Sequence, residues 1–248
     1  MSKQLSLVDQ IPLGVQIEEH STLDTFYIGS NEQTYCSLRP FLMDDSQFFL
    51  CLWGNPLSGV THLLQAITHM GIQSGRRCIY LPLKTVQDLS CSVLDELDQF
   101  DVVCLDDLED VLEKEDWQES LFNLFNRFKG LNKRLAIGLK QHPAQLEISL
   151  KDLRSRLNWG LSLQVHALNE GDLKQALKEK AQRQGLLLTD ELANYIVSRA
   201  PRDIKSVLNI FEKLDQTSLV EQKKLTVLFA KKIMGWKFSV LIVFAALQ

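Results

Sequence analysis

The sequence predicts an α/β fold in which a doubly wound parallel sheet is followed by a small all-helical domain. Three observations support this prediction. Apolar runs of strand length recur between residues 48 and 168, helical patterns lie between them, and only helical patterns follow residue 168. Strands that are apolar throughout are typical of sheets covered by helices on both faces. Alternating strands and helices are typical of parallel sheets, because each crossover between parallel strands needs a helix-sized segment.

The individual elements follow from the same patterns. The strand-like runs are FFLCLW (48–53), RCIYLPL (77–83), DVVCLDDL (101–108), RLAIGL (134–139) and LSLQVHAL (161–168). The clearest helix covers residues 117–132, where large apolar side chains recur every three or four positions. In the C-terminal part the expected N-caps are Asn169, Thr189 and Thr226, and helical runs are expected to end at Gly185 and Gly235.

The composition indicates which kinds of partner and which cellular compartment are favoured. The net charge of −4 over 248 residues gives no basic field that would favour duplex DNA, so a protein partner or a small ligand is favoured. The five cysteines are scattered and odd in number, and no charged-then-apolar leader precedes residue 20. These features are typical of the reducing cytoplasm. The five histidines lack the spacing of metal ligands, so no histidine metal site is expected.

The stretch LCLWGNPLSGVTHLLQAI (50–67) has the spacing of a phosphate-binding loop but lacks its lysine. Gly54, Gly59 and Thr61 occupy the fixed positions of G-x-x-x-x-G-K-[ST], whereas Val60 replaces the lysine. Such a loop points backbone N–H groups and a helix N-terminus at phosphate oxygens, and its lysine adds a positive charge. A tight strand-to-helix turn is the structural alternative. The predicted nucleotide-binding residues of the loop are Gly54, Ser58, Gly59, Val60, Thr61 and His62.

Other positions bear on the same nucleotide chemistry. Leu57 stands where many such loops have glycine, so its backbone is expected to need a positive φ angle. Asp106 and Asp107 end the third strand-like run, at the position from which an acidic residue holds Mg²⁺. Thr61 and Asp106 are therefore the predicted Mg²⁺ ligands, with Mg²⁺ bound only together with a nucleotide. Acidic residues at a strand end also occur as solvated turn residues.

The ordered set of motifs resembles one known family. THLLQAI after the loop, LDDL in the acidic motif, LRSRLNWG (153–160) and RAPRDIKSVLNIFEKL (199–214) are similar to the AAA+ core of the bacterial replication initiator DnaA, in its short DnaA/Hda branch. The resemblance covers about residues 10–236. It implies an AAA+ P-loop fold with a helical lid and a role in controlling replication initiation.

The resemblance assigns roles to two arginines. Arg156 in LRSRLNWG matches the family's arginine finger, and Arg202 in APRDIK matches the sensor II arginine, which binds phosphate from the lid. For both, a surface ion pair is the alternative. Val60 and the segment 138–140 (Gly-Leu-Lys) depart from the family, which has a lysine in the loop and a polar residue followed by an acidic one in sensor I. These departures imply weak or absent ATPase activity and weak binding of ADP at most.

The N-terminal arm carries a second motif. Gln4, Leu5, Ser6 and Leu7 resemble the peptide with which replication proteins dock on the DNA polymerase III sliding clamp, its beta subunit. In that binding mode Gln4 hydrogen-bonds in a small polar pocket while the two leucines fill an apolar groove. The sequence contains no counterpart of the helix-turn-helix domain of DnaA, so the resemblance implies no direct sequence-specific DNA binding.

Four segments are therefore expected: an arm (1–19), an AAA+ α/β core (20–167), a helical lid (168–236) and an apolar tail (237–248). The tail is too short for a membrane span. It is open whether the tail packs as a last helix or strand or forms a sticky end. A homodimer or a higher homo-oligomer is also left open.

Two functional interpretations from different classes follow. In the first, the protein docks on the DNA-loaded clamp, and Arg156 stimulates hydrolysis of the ATP bound to DnaA, which inactivates DnaA. In the second, the protein is an autonomous AAA+ ATPase of the helicase-loader type, which would need a charge at position 60 and a polar sensor. A scaffold paralogue that binds no nucleotide is a third alternative.

Overall fold

The computed structural model describes residues 17–44 and 47–236. These residues divide into two compact units between Ala167 and Leu168. The first unit contains, in chain order, α1 (Glu32–Met43), β1 (Phe49–Trp53), α2 (Val60–Gln73), β2 (Cys78–Pro82), β3 (Val102–Asp106), α3 (Glu115–Gly130), β4 (Arg134–Leu139), α4 (Lys151–Leu157) and β5 (Leu161–Gln164). Short 3-10 helices connect them at Leu23–Thr25, Leu83–Thr85, Cys91–Gln99, Leu108–Val111 and Pro143–Gln145.

The strands of the first unit form a parallel sheet in the order β2-β3-β4-β1-β5. The predicted doubly wound parallel sheet is confirmed. β1 lies between β4 and β5, with Leu50 opposite Ala136 on one side and Leu161 on the other. Because parallel strands end at the same edge of a sheet, the residues that follow β1, β3 and β4 are gathered at one edge. That edge carries the predicted nucleotide site.

Apolar clusters cover both faces of this sheet. Successive side chains of a strand point to opposite faces, and accordingly Phe49 belongs to one cluster and Leu50 to the other. The first cluster is covered by α3, which contributes Phe125, and the second by α2, which contributes Leu63. The strands are apolar on both faces, as the sequence indicates, because helices cover both faces of the sheet.

The regular elements in the described residues of the second unit are all helices. It contains α5 (Glu170–Arg183), α6 (Asp190–Val197), α7 (Ile204–Glu221) and α8 (Val227–Met234). The predicted N-caps are confirmed, because their side chains accept hydrogen bonds from the first turns of α5, α6 and α8: Asn169, Thr189 and Thr226. The predicted helix ends are confirmed by positive φ angles at Gly185 and Gly235.

Most of the sequence-based boundaries shift by a few residues in the structure. The helix predicted over 117–132 spans Glu115–Gly130 as α3, and the strand predicted over 161–168 ends at Gln164. Within residues 17–44 and 47–236, each helix is too short or too polar to cross a bilayer.

Candidate functional site

The loop between β1 and α2 (residues 54–59) needs glycine at both predicted positions. A Cβ atom at Gly54 would lie 2.3 Å from the backbone oxygen of Val165. A Cβ atom at Gly59 would lie 2.9 Å from Cε2 of Phe26, and the φ angle of Gly59 is 106°. Gly59 is also the N-cap of α2, so the first N–H groups of that helix lack intrahelical partners. The loop therefore has a backbone shape and a helix N-terminus that suit an anionic oxygen.

The middle of the loop has an unfavourable conformation. The prediction that Leu57 needs a positive φ angle is confirmed, because its φ is 69°. A residue with a Cβ atom in this left-handed region costs about 1–2 kcal/mol. Leu57 is 66% exposed, so packing offsets little of that cost. At the next position, the buried hydroxyl of Ser58 has no hydrogen-bond partner among the described residues. Such local strain is common where a loop is shaped for binding.

Val60 packs into the core at the position of the missing lysine. Its side chain is 8% exposed and belongs to the cluster that includes Leu64. A Cβ atom at Gly138, on β4, would lie 2.9 Å from Cγ1 of Val60, 2.7 Å from Cδ1 of Leu64 and 2.4 Å from Oδ1 of Asp106. The two departures from the family, at the loop lysine and at sensor I, are therefore neighbours in space. Val60, Leu64 and Asp106 fill the space beside Gly138, and neither position 60 nor position 138 supplies a cation or a polar side chain.

Replacing Gly138 with serine should destabilise the core by about 1–3 kcal/mol, because the added side chain overpacks the space beside Val60, Leu64 and Asp106. The matched control is Gly130→Ser at the end of α3, where nothing lies within 4 Å of an added Cβ atom. Urea unfolding followed by circular dichroism measures both. Equal unfolding midpoints for the two variants would show that the space beside Gly138 accepts a side chain without overpacking.

Asp106 is buried and fully engaged by hydrogen-bond donors. Its Oδ2 accepts from the hydroxyl of Thr61 at 2.7 Å and from the hydroxyl of Tyr80 at 2.9 Å, and its Oδ1 accepts from the N–H of Asp107 at 3.0 Å. Burial raises the pKa of Asp106, and the donors from Thr61 and Tyr80 oppose that shift. Sequence reasoning found Thr61 and Asp106 but missed Tyr80. A tyrosine inside an apolar strand was the available signal, because a buried hydroxyl needs a partner.

The two predicted Mg²⁺ ligands therefore lie together. Hydroxyl and carboxylate oxygens are the ligand types that Mg²⁺ prefers, and Thr61 is exposed at the first turn of α2. With the loop N–H groups, this arrangement fits the phosphates of a nucleotide and its Mg²⁺ in part, because no cation stands at position 60. Thr61 and Asp106 would hold Mg²⁺, which would neutralise phosphate charge.

Asp107 is engaged differently from Asp106. Its φ angle is 54°, and its Oδ1 lies 3.0 Å from Nζ of Lys140, which also lies 3.3 Å from Oδ1 of Asp110. Burial alone would lower the pKa of Lys140, but the contacts with Asp107 and Asp110 outweigh it and raise that pKa. Lys140, which departs from the acidic residue of the family, thus neutralises part of the charge beside the loop. A nucleotide contact of Asp107 stays a prediction.

His62 joins the loop helix to the preceding chain segment. Its Nε2 donates to the backbone oxygen of Thr22 at 2.8 Å, and its ring lies 5.4 Å from that of Phe26. Phe26 in turn stacks on Tyr35 and lies against Gly59. Sequence reasoning missed Phe26, because nothing local to its position indicates that it packs on the loop.

The stability of the protein should fall on acidification through His62. Burial is the largest cause that lowers the pKa of His62, so the folded state favours the neutral ring. The unfolded chain then binds the proton more readily, and this contribution is present above about pH 6.5 and is lost as the pH falls. In His62→Gln the amide can still donate to the oxygen of Thr22 but does not titrate. Urea unfolding at about pH 7.5 and 5.5 should show a loss in the wild type exceeding that in His62→Gln, by at most about 1.4 kcal/mol per pH unit. Parallel losses would contradict the assignment.

Arg156, the predicted arginine finger, lies on α4 rather than in the loop. Its side chain is half-buried, and its Cζ lies 5.8 Å from the ring centroid of Phe125 on α3. The ring of Trp159 also contacts Phe125, and Nζ of Lys129 lies 5.0 Å from the Trp159 ring. Arg156 is therefore packed on a surface with an exposed tryptophan.

The predicted sensor II arginine, Arg202, belongs to the second unit. Arg202 is 85% exposed, and its Nη2 lies 3.6 Å from Oε1 of Glu170 within the second unit. Its role as a phosphate ligand stays a prediction. The clamp motif, Gln4, Leu5, Ser6 and Leu7, and the tail 237–248 lie outside the described residues.

Comparison with known proteins identifies the family. Residues 17–164 match the bacterial DnaA ATPase domain, and residues 170–234 match the lid domain of Hda. An uncharacterised protein of Haemophilus influenzae is 38% identical over 227 residues, which cover 91% of this chain and 98% of that protein.

Solved structures agree in fold. Domain III of the Thermotoga maritima replication initiation protein DnaA superposes with a TM-score of 0.76 at 20% identity, over 89% of this chain and 98% of that one. DnaA from Aquifex aeolicus bound to AMPPCP gives a TM-score of 0.70 at 22% identity, over 80% of this chain and 66% of that one.

The parallel sheet, the loop after β1, the acidic end of β3 and the helical second unit define an AAA+ protein with a lid domain. The chain belongs to the bacterial DnaA ATPase domain family, and its lid is of the Hda type.

Proposed function

We propose that the protein regulates replication initiation by stimulating hydrolysis of the ATP bound to DnaA, through Arg156, while it is docked on the DNA-loaded sliding clamp. The packing of Val60 in the space beside Gly138 carries this proposal. With valine at position 60, the chain's own loop has no cation. Arg156, by contrast, lies on a separate element, α4. A protein that poorly neutralises the phosphates of its own nucleotide, but retains an arginine finger, is suited to act on a partner's nucleotide.

Family membership supports DnaA as the partner. The DnaA of Aquifex aeolicus has been solved with AMPPCP, and a nucleoside triphosphate bound to a partner is what a finger supplied in trans acts on. For this chain, weakly bound ADP is the proposed nucleotide, held by the N–H groups of residues 54–61 and by Arg202. Thr61 and Asp106 would hold its Mg²⁺. This nucleotide would stabilise the fold rather than react.

The autonomous-ATPase alternative requires a cation at position 60 and a polar side chain at position 138. The buried packing of Val60 beside Gly138 argues against both, because a larger side chain at either position would overpack the filled space between Val60, Leu64 and Asp106.

Conversion of DnaA-bound ATP to ADP in the presence of DNA-loaded clamp tests the proposal. The wild-type protein should accelerate this conversion and should show negligible ATP turnover on its own. No acceleration would refute the regulator function, and robust turnover by the isolated protein would instead support the autonomous ATPase.

Clamp docking is proposed for the arm, by the resemblance of residues 4–7 to a clamp-binding peptide. The double substitution Gln4→Ala with Leu5→Ala should abolish clamp binding, because it removes the polar anchor and one apolar anchor of a short peptide. Thermal stability should change little, because a short terminal docking peptide is expected to contribute little to the folded core. Ser6→Ala is the control, because it keeps Gln4, Leu5 and Leu7. Pull-down on immobilised clamp measures the effect, and undiminished binding by the double variant would refute the assignment.

A further inference from the structure

Gln118, near the start of α3, is a buried amide that bonds to the beginning of the finger helix α4. It is 4% exposed. Its Oε1 accepts from the backbone N–H of Leu150 at 2.9 Å and from the hydroxyl of Ser149 at 2.9 Å. Its Nε2 donates to the backbone oxygen of Leu112 at 2.7 Å. A backbone N–H only donates and a carbonyl only accepts, so these partners fix the orientation of the amide.

The start of α4 lacks a capping side chain of its own. Leu150 is its N-cap, makes no side-chain cap hydrogen bond, and belongs to a residue type that caps poorly. A helix as short as Lys151–Leu157 is marginal in isolation, so its position depends on its neighbours. The acceptor for the N–H of Leu150 comes from α3, so the N-cap residue of α4 is held by a neighbouring helix.

The same helix holds the other end of α4. Gln118 and Phe125 are seven residues apart on α3, about two turns along one face. Leu150 and Arg156 are six residues apart, which is a similar length of helix. Gln118 bonds to Leu150, and the ring of Phe125 lies beneath the guanidinium of Arg156. α3 thus contacts α4 at two points, and one of these contacts is made with the side chain of Arg156.

We infer that Gln118 is a positioning residue for Arg156: by fixing the start of α4, it sets where the finger reaches the partner's nucleotide. This inference rests on the proposed function of Arg156. A misplaced finger loses transition-state hydrogen bonds although the arginine is still present, and a displacement of about 1 Å can cost about 10²-fold in rate. Encounter with the partner and docking on the clamp do not depend on this bond.

Two substitutions separate positioning from packing. Gln118→Met keeps a similar side-chain volume but removes the hydrogen bonds that residue 118 makes to Ser149 and Leu150 at the start of α4. Gln118→Glu keeps the acceptor for Leu150 and Ser149, in either protonation state of its carboxyl group, and alters only the bond to Leu112. Thr34→Val is a control for general destabilisation: it removes a buried hydroxyl on α1 that donates to the backbone oxygen of Gln164 at 2.9 Å.

The full-length variants are compared in hydrolysis of DnaA-bound ATP with DNA-loaded clamp, as a function of their concentration. Gln118→Met should lower the maximal rate by about tenfold or more, at an unchanged half-saturating concentration. Gln118→Glu should stay within about threefold of wild type, as should Thr34→Val. Loss of rate in Gln118→Met and Gln118→Glu alike would overturn the inference, and so would a wild-type maximal rate in Gln118→Met.

Hydrogen exchange of the Leu150 amide gives a readout that does not involve DnaA. It should quicken about tenfold or more in Gln118→Met and stay near wild type in Gln118→Glu, because this amide itself donates to residue 118. If the wild-type protein does not stimulate DnaA, the proposed function fails, while the exchange result still decides whether Gln118 fixes α4. Unchanged exchange in Gln118→Met would overturn the inference regardless of the activity.

Discussion

Replacing Arg156 with alanine should abolish stimulation of DnaA-bound ATP hydrolysis and leave the protein folded and able to bind the clamp. A planar guanidinium can give two hydrogen bonds to the oxygens on which charge accumulates during phosphoryl transfer. In nucleotide switches, such a group supplied in trans accelerates hydrolysis by about 10³- to 10⁵-fold. The loss should therefore bring the rate to that of DnaA alone.

The stability cost of the same change should be small. Arg156 is half-buried, and the structure places its guanidinium 5.8 Å from the ring centroid of Phe125. A cation over an aromatic ring at a partly exposed site contributes about 0.5–1 kcal/mol. Arg156→Ala should thus unfold close to the wild type in urea, so a loss of activity cannot be attributed to a loss of fold.

Two further variants sharpen this test. Arg156→Lys should also fail, because an ammonium ion cannot reproduce the planar pair of donors. Arg154→Ala is the matched control, since Arg154 lies on the same helix and is exposed. The assay is the conversion of DnaA-bound ATP to ADP with DNA-loaded clamp. Full stimulation by Arg156→Ala would make the finger assignment untenable and would favour the scaffold alternative.

The parts of this structure that the sequence predicts are those set by short-range patterns. Apolar runs fix the strands of the sheet, because burial on both faces demands apolar side chains throughout. N-caps such as Asn169 are local, since the capping oxygen and its donor are three residues apart. The positive φ angle of Leu57 is likewise a property of the loop motif.

What the sequence could not predict depends on which elements become neighbours in space. Val60 and Gly138 are recognisable as separate departures from the family, but their proximity requires β1 to lie beside β4. Tyr80 reaches Asp106 only because β2 pairs with β3 in one register. Gln118 reads as one polar residue in an amphipathic helix, and its bond to Leu150 crosses 32 residues of chain.

Arg134 shows the same limit most clearly, and it leads to the largest expected effect on stability. It begins β4 and is 1% exposed, although the sequence shows only a charged residue at the start of an apolar run. Its guanidinium donates to the backbone oxygens of Phe41 and Asp44 at 3.1 Å and of Asn132 at 3.3 Å. The first two lie at the C-terminal end of α1, where helix carbonyls lack intrahelical partners and a cation is favourable.

Replacing Arg134 with methionine should therefore cost about 2–3 kcal/mol. The buried oxygen of Phe41 is left without its donor, at about 1–3 kcal/mol, and the part-buried oxygens of Asp44 and Asn132 lose a bond to a charged group. The matched control is Arg77→Met, just before β2. Arg77 also pairs near a strand start, with Asp101 at 3.2 Å, but its side chain is 66% exposed, so this change should cost about 1 kcal/mol at most. Urea unfolding of both variants at neutral pH measures the difference. Equal free energies of unfolding for Arg134→Met and Arg77→Met would mean that water replaces the guanidinium at α1, and that this buried arginine contributes no more than an exposed one.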